Sequence, residues 1–145
     1  MIVRRAGSGG MGDVYQARDE SAGEVVALKV LKVGREEHGR RFAREASVLA
    51  ELRHPNIVRY VAHGELGSGE PWLAMEWLEG ETLAHRLGRA GLSLDDATLV
   101  GQRVADALRA LHERGVVHRD LKPGNIVVVG GDLARCKVVD FGIAR

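Results

Sequence analysis

The 145-residue chain holds one cysteine, three prolines and only two each of Trp, Tyr and Phe. A lone Cys136 excludes an intramolecular disulfide framework. Without a CxxC or paired Cys/His spacing there is no structural zinc motif either, so a reducing compartment fits best. No run of apolar residues approaches the roughly 18 needed for a membrane span, and Met1 to Ala6 (MIVRRA) lacks the apolar core and cleavage site of a signal peptide. Charge of one sign is also missing: 21 Lys plus Arg against 20 Asp plus Glu leave a formal charge of +1. Neither nucleic acid nor a membrane surface is therefore expected as the partner of this segment.

What remains is ordinary globular material, 45% hydrophobic and 28% charged, long enough to bury one core. Basic residues are skewed to 17 Arg against four Lys, and asparagine occurs twice. Where Lys or Asn does appear, background usage explains it less easily.

The first third alternates apolar and polar residues between glycine signals. Ile2 to Ala6, Asp13 to Arg18 and Glu24 to Leu31 are predicted as three antiparallel strands joined by tight turns. From Glu36 to Leu52, Phe42, Ala46, Leu49 and Ala50 recur at helical spacing until His54-Pro55 stops the helix. Ile57 to His63 and Pro71 to Met75 add two strands, giving five. After Gly80 the period changes, and Asp95 to Glu113 is predicted as a helix with Ser93 or Asp95 as its cap. Val116-Val117, Asn125 to Val129 and Lys137 to Val139 are β-prone runs able to pair as a small ribbon. The class is α+β, with a boundary near Trp77 to Gly80.

Four segments carry chemistry. Gly7-Ser8-Gly9-Gly10-Met11-Gly12-Asp13-Val14 spaces glycines as GxGxxGxV between two predicted strands. Such glycines let backbone N–H groups approach a polyphosphate, although a plain glycine-rich hairpin also accounts for them. The strand that follows excludes a Rossmann site, which needs a helix there. Val25 to Lys29 ends an apolar strand with a lysine on the face of Ala27. That lysine either meets an anion, such as Glu45 of the next helix or a phosphate, or snorkels to solvent.

His118-Arg119-Asp120-Leu121-Lys122-Pro123-Gly124-Asn125 packs five polar residues into one predicted loop. Its Asp, Lys and Asn can converge on a hydroxyl, a phosphate and a metal ion. Asp140-Phe141-Gly142 follows an apolar strand and aims a carboxylate toward a hard cation.

In this order and wording the four segments resemble the N-terminal half of a eukaryotic-type (Hanks-type) serine/threonine protein kinase, bacterial in style. The resemblance implies a five-stranded antiparallel N-lobe with one helix in residues 1–77. It places the start of a helical C-lobe, truncated in its activation segment, in 78–145. By resemblance Gly7, Ser8, Gly9, Gly10 and Gly12 cover the phosphates of ATP. Lys29 binds those phosphates and pairs with Glu45. Asp120 orients the substrate hydroxyl and accepts its proton, Lys122 stabilises the transferred phosphate, and Asn125 and Asp140 hold Mg2+. Val14, Ala27 and Val127 sandwich the adenine, Met75 stands behind it, and Glu76 and Leu78 supply backbone hydrogen bonds.

The implied activity is phosphoryl transfer from Mg-ATP to protein Ser or Thr hydroxyls in the cytoplasm, in a protein able to homodimerise and to carry a membrane anchor elsewhere. Ala6 stands where the family has a larger aliphatic residue, a loss worth about 1–2 kcal/mol of nucleotide packing. Residues 1–145 span little more than half of such a domain, so the isolated chain is expected to be inactive and poorly stable. The competing readings are a non-catalytic nucleotide- or partner-binding fragment and a small-molecule kinase.

Overall fold

The computed structural model describes residues 1–9, 12–32 and 46–140. Among the described residues two units emerge, one formed by Met1–Glu51 with Arg59–Trp77 and the other by Leu52–Val58 with the stretch from Leu78 to Asp140.

The first unit is a five-stranded sheet of β1 (Ile2–Gly9), β2 (Gly12–Arg18), β3 (Val25–Leu31), β4 (Tyr60–Glu65) and β5 (Pro71–Glu76). The order is β1-β2-β3-β5-β4, with every neighbouring pair antiparallel. Branched residues dominate β3, the central strand, where the pleat rewards them. The edge strand β1 is left open, with Ile2 and Val3 more than half exposed. At the start of β2, Gly12 has φ of 151° and a Cβ there would collide with the Val30 carbonyl of β3. Only glycine lets these strands close up at that point. Residues 46–51 are helical and form α1, burying Ala46 and Leu49. Of the helix expected from Glu36 to Leu52, the part up to Glu45 lies outside the described residues.

The second unit pairs β6 (Gly80–Thr82), β7 (Ile126–Val129) and β8 (Cys136–Val138) as an antiparallel ribbon. Gly80 is needed because a Cβ would strike the Val128 carbonyl. Two helices, α2 (Leu83–Arg89) and α3 (Leu94–His112), follow β6. Ser93 caps α3 by accepting from the Asp96 N–H at 3.1 Å, with Asp95 and Asp96 in its first turn and Arg109 and His112 in its last. That arrangement matches the helix dipole at both ends. Its buried residues Val100, Val104, Ala107 and Leu111 recur every three or four positions, which makes one apolar stripe. No helix among the described residues is long and apolar enough to cross a membrane.

Two expectations are corrected here. The fourth strand starts at Tyr60, not Ile57, because the preceding residues turn away to β8. Ile57 bridges Val138 in parallel, and Val58 N–H donates to the Val138 carbonyl at 3.1 Å while Val138 N–H donates to Asn56 at 2.8 Å. Val116-Val117 is not a ribbon strand: Val116 N–H closes the end of α3 on the Leu111 carbonyl at 3.0 Å. The third strand is instead the short Gly80–Thr82.

Candidate functional site

In the first unit, register decides which side chains share a face. Val14 lies opposite Lys29, and Lys29 opposite Leu73. Gln16 lies opposite Ala27, and Ala27 opposite Met75. Cross-strand partners point the same way and side chains repeat every second residue, so Val14, Ala27, Lys29 and Met75 form one face. Lys29 is buried to 6% exposure, a position that a strand-end lysine reaching for solvent would not take. Gly7 and Gly9 pair with Val14 and Gly12, and Ser8 with Asp13, in the β1–β2 ladder. Gly10 and Glu45 lie outside the described residues, and with Glu45 the expected Lys29–Glu45 pair.

Ionic contacts hold the same hairpin at its surface. Arg5 meets Asp13 at 2.5 Å and Lys32 meets it at 3.4 Å. Hydrogen bonds from Ser8 and then Arg5 pull the Asp13 carboxyl down to about 2. The opposite face of the sheet carries an apolar hollow of about 410 Å³ lined by Val26, Leu28, Ala62, Trp72 and Ala74, among others. Glu76 ends β5 with its N–H on the Arg59 carbonyl at 2.9 Å and its carboxylate accepting from Arg59 N–H at 2.7 Å.

The second unit builds its polar loop inward. His118 is 2% exposed; its Nε2 donates to the Val139 carbonyl at 2.8 Å, and its Nδ1 accepts the Asp120 N–H at 3.3 Å. That pattern puts the ring proton on Nε2. Asn125, 5% exposed, donates through Nδ2 to the Asp120 carbonyl at 2.8 Å and to its Oδ2 at 3.1 Å. The Asn125 carbonyl accepts from Val139 N–H at 2.9 Å. Asp120 and Asn125 are thereby locked to the residue immediately before Asp140. Lys122 Nζ lies 3.1 Å from Asp120 Oδ2, with its own side chain 57% exposed.

Arg119 and Asp140 take positive φ of 64° and 58°. For residues other than glycine this costs on the order of 1–2 kcal/mol each. Strain of that kind persists where surrounding bonds over-determine it, and it clusters at working sites. Val127 sits in β7 between Thr82 and Lys137, and Leu78 opens the second unit. Phe141 and Gly142 lie outside the described residues.

The donor set suits a hard cation. With Asn125 Nδ2 spent on Asp120, its amide presents oxygen as the remaining group, and the Asp140 carboxylate follows one residue after Val139. An amide oxygen and a carboxylate are the kinds of donor that magnesium takes alongside water and phosphate oxygens. Among the described residues no three His, Cys, Asp or Glu gather in one place, so nothing competes as an all-protein metal cage.

Sequence reading missed three features. Asn56 is 3% exposed and donates to the Ala134 and Cys136 carbonyls at 3.1 and 2.7 Å. The scarcity of asparagine was its signal, since both asparagines of the chain are buried. Glu81 gathers His85, Arg86 and Arg89 at 2.7, 3.3 and 2.9 Å, which brings its carboxyl to about 2 with the His85 hydrogen bond as the largest cause. Arg4 stacks over Trp77; nothing in the local pattern pointed to it.

Comparison with known proteins places these features. The protein kinase domain profile matches residues 1–145. The chain is 41% identical over 153 residues to the serine/threonine-protein kinase pkn2 of Myxococcus xanthus, covering 99% of this chain and 18% of that protein. It is 43% identical over 150 residues to the serine/threonine-protein kinase PknJ of Mycobacterium tuberculosis, covering 99% and 25%. The chain thus spans a quarter or less of these two relatives. The crystal structure of the Mycobacterium tuberculosis PknI kinase domain matches with a TM-score of 0.83 at 37% identity, over 99% of this chain and 60% of that one. Rad53 1-466 in complex with AMP-PNP matches with a TM-score of 0.86 at 28% identity, over 98% and 38%. With the family profile matched along its whole length and kinase folds superposing on it, the chain belongs to the protein kinase domain family.

Proposed function

We propose that this chain carries the nucleotide-binding and catalytic-loop part of a serine/threonine protein kinase, transferring the γ-phosphoryl of Mg-ATP to protein Ser or Thr hydroxyls. The observation that carries the reading is the buried Asp120–Asn125–Val139–His118 network, which ties a general base to two oxygen ligands. A surface turn would not need to bury an Asn and a His to hold an Asp in place.

Each residue then has a role. Gly7, Ser8, Gly9, Gly10 and Gly12 lay backbone N–H groups along the phosphates, and Lys29 neutralises them from the sheet face, with Glu45 orienting it. Val14, Ala27 and Val127 contact the adenine, Met75 closes its inner end, and the backbones of Glu76 and Leu78 hydrogen-bond its edge. Asn125 and Asp140 would hold magnesium, which offsets charge on the phosphate oxygens when bound. Asp120 takes the proton of the incoming hydroxyl, and Lys122 neutralises charge on the group being transferred. The Asp120–Lys122 contact of 3.1 Å sets a cation beside that carboxylate. A relative's solved complex with AMP-PNP supports a nucleotide as ligand.

The apolar hollow on the far face of the sheet supports homodimerisation through that face. Transfer of labelled phosphate from Mg-ATP to a serine- and threonine-containing protein, assayed at the protein's natural full length, tests the reading. Wild type should label the substrate and Asp120→Asn should not. Equal labelling by both would overturn it.

A further inference from the structure

Four strands place Arg4, Gln16, Ala27 and Met75 in a single transverse row on one face of the first unit's sheet. Ala27 and Met75 are the residues assigned above to adenine, so Arg4 stands at the outer end of that row. Its side chain is committed twice. Nε donates to Gln16 Oε1 at 2.8 Å, and the guanidinium carbon lies 5.4 Å from the centre of the Trp77 ring. Trp77 in turn follows Glu76, whose N–H and carboxylate are both fastened to Arg59 at 2.9 and 2.7 Å. Arg59 reaches on to Glu24 at 3.2 Å. The guanidinium thus lies over the indole, and the residue before Trp77 is fixed to Arg59.

We propose that Arg4 and Trp77 form a clamp that positions the outer edge of the adenine-binding row, making them specificity-determining positioning residues for the nucleoside part of the ligand. This inference rests on the nucleotide reading above. A planar guanidinium can stack on an indole and bond a side-chain amide at once. It thereby ties β1, the strand that runs into the glycine-rich turn, to the segment whose backbone meets the adenine edge. The pair presents a flat, cationic and aromatic rim that suits a purine and its ribose and makes no demand on the phosphates.

The test is the affinity of the 145-residue chain for adenosine, ATP and inorganic triphosphate, measured by calorimetry for wild type, Arg4→Ala, Arg4→Lys and Trp77→Phe, with a thermal melt of each. An exposed cation–π pair predicts a loss of about 2- to 5-fold on Arg4→Ala. That loss should be equal for adenosine and ATP, absent for triphosphate, and seen with an unchanged melt. Arg4→Lys should recover less than half of it, and Trp77→Phe should fall in between. Nucleotide-induced change in tryptophan emission should survive Trp72→Phe and vanish in Trp77→Phe. Unchanged adenosine affinity in Arg4→Ala, or a loss confined to ATP and triphosphate, overturns the clamp and leaves the nucleotide reading standing. Wild type that melts cooperatively yet binds neither adenosine nor ATP overturns both.

Discussion

In the β1–β2 hairpin the polar side chains meet at the surface, with Arg5, Asp13 and Lys32 linked by contacts of 2.5 and 3.4 Å between groups that water reaches. In the His118–Asn125 loop the histidine and asparagine turn inward, at 2% and 5% exposure. The first arrangement uses charge in a high dielectric, where an ion pair is worth little and salt screens it. The second uses hydrogen bonds out of water, where each is individually modest but a broken one leaves an uncompensated partner. On the function proposed above, a turn folding over a ligand's phosphates could be held loosely, whereas a base and metal ligands would have to stand ready. On that reading the two regions would divide the work, with the buried loop as the preorganised one.

The contrast can be broken by substitution. The largest effect is expected at Asp120: Asp120→Asn keeps an acceptor for Asn125 and so keeps the fold, while phosphoryl transfer falls by about 10²- to 10⁴-fold with nucleotide affinity little changed. Rapid-quench and binding measurements on the same preparations check both halves. Next comes Asn125→Ala, which strands the Asp120 carbonyl in a buried site. A loss of about 1–3 kcal/mol in denaturant unfolding is expected, together with loss of the magnesium-dependent part of ATP affinity. Asn56→Ala should cost a similar about 1–3 kcal/mol by releasing two carbonyls beside β8, yet leave magnesium dependence in place in whatever fraction folds.

The smallest effect belongs to the hairpin. Because the folded Asp13 carboxyl sits at about 2, below its ordinary value of 3.8, it contributes stability above the ordinary value. That contribution is lost as pH falls from 3.8 toward 2. Since the Arg5–Asp13 pair lies at the surface, where solvent screens it, and the contribution ends once the carboxyl is protonated, the melting temperature of Asp13→Asn should approach wild type at pH 2. It should lie only slightly below wild type at pH 6, with the gap closing in 1 M salt.

How much of this was legible beforehand follows from the range of the interactions. The alternation in Val25 to Lys29, the glycine spacing from Gly7 to Gly12 and the periodicity from Asp95 to Glu113 are local signals; β2, β3 and α3 stand within a residue of expectation, while β1 runs three residues past the expected Ala6, to Gly9. The antiparallel five-stranded sheet follows from them. Ile57 and Val58 look like strand residues and are extended, but their partner Val138 lies about 80 positions away. Local pattern cannot show which sheet a segment joins. The three-residue β6 and seven-residue α2 were too short to announce a period. At the candidate site the string His118-Arg119-Asp120 suggests an acid–base loop, but not that the buried Asn125 and His118 bond to Asp120. Nor does it name the positive φ at Arg119 and Asp140.

The most direct test of the account is calorimetric titration of the folded chain with Mg-ATP, beside Lys29→Ala. Lys29 is buried on the sheet face where the proposed function puts the nucleotide. The account predicts a single site in wild type and at least a tenfold loss in the variant, with folding of both confirmed by circular dichroism. A folded wild-type chain that releases no heat with Mg-ATP, or a Lys29→Ala chain that binds as tightly, would contradict it.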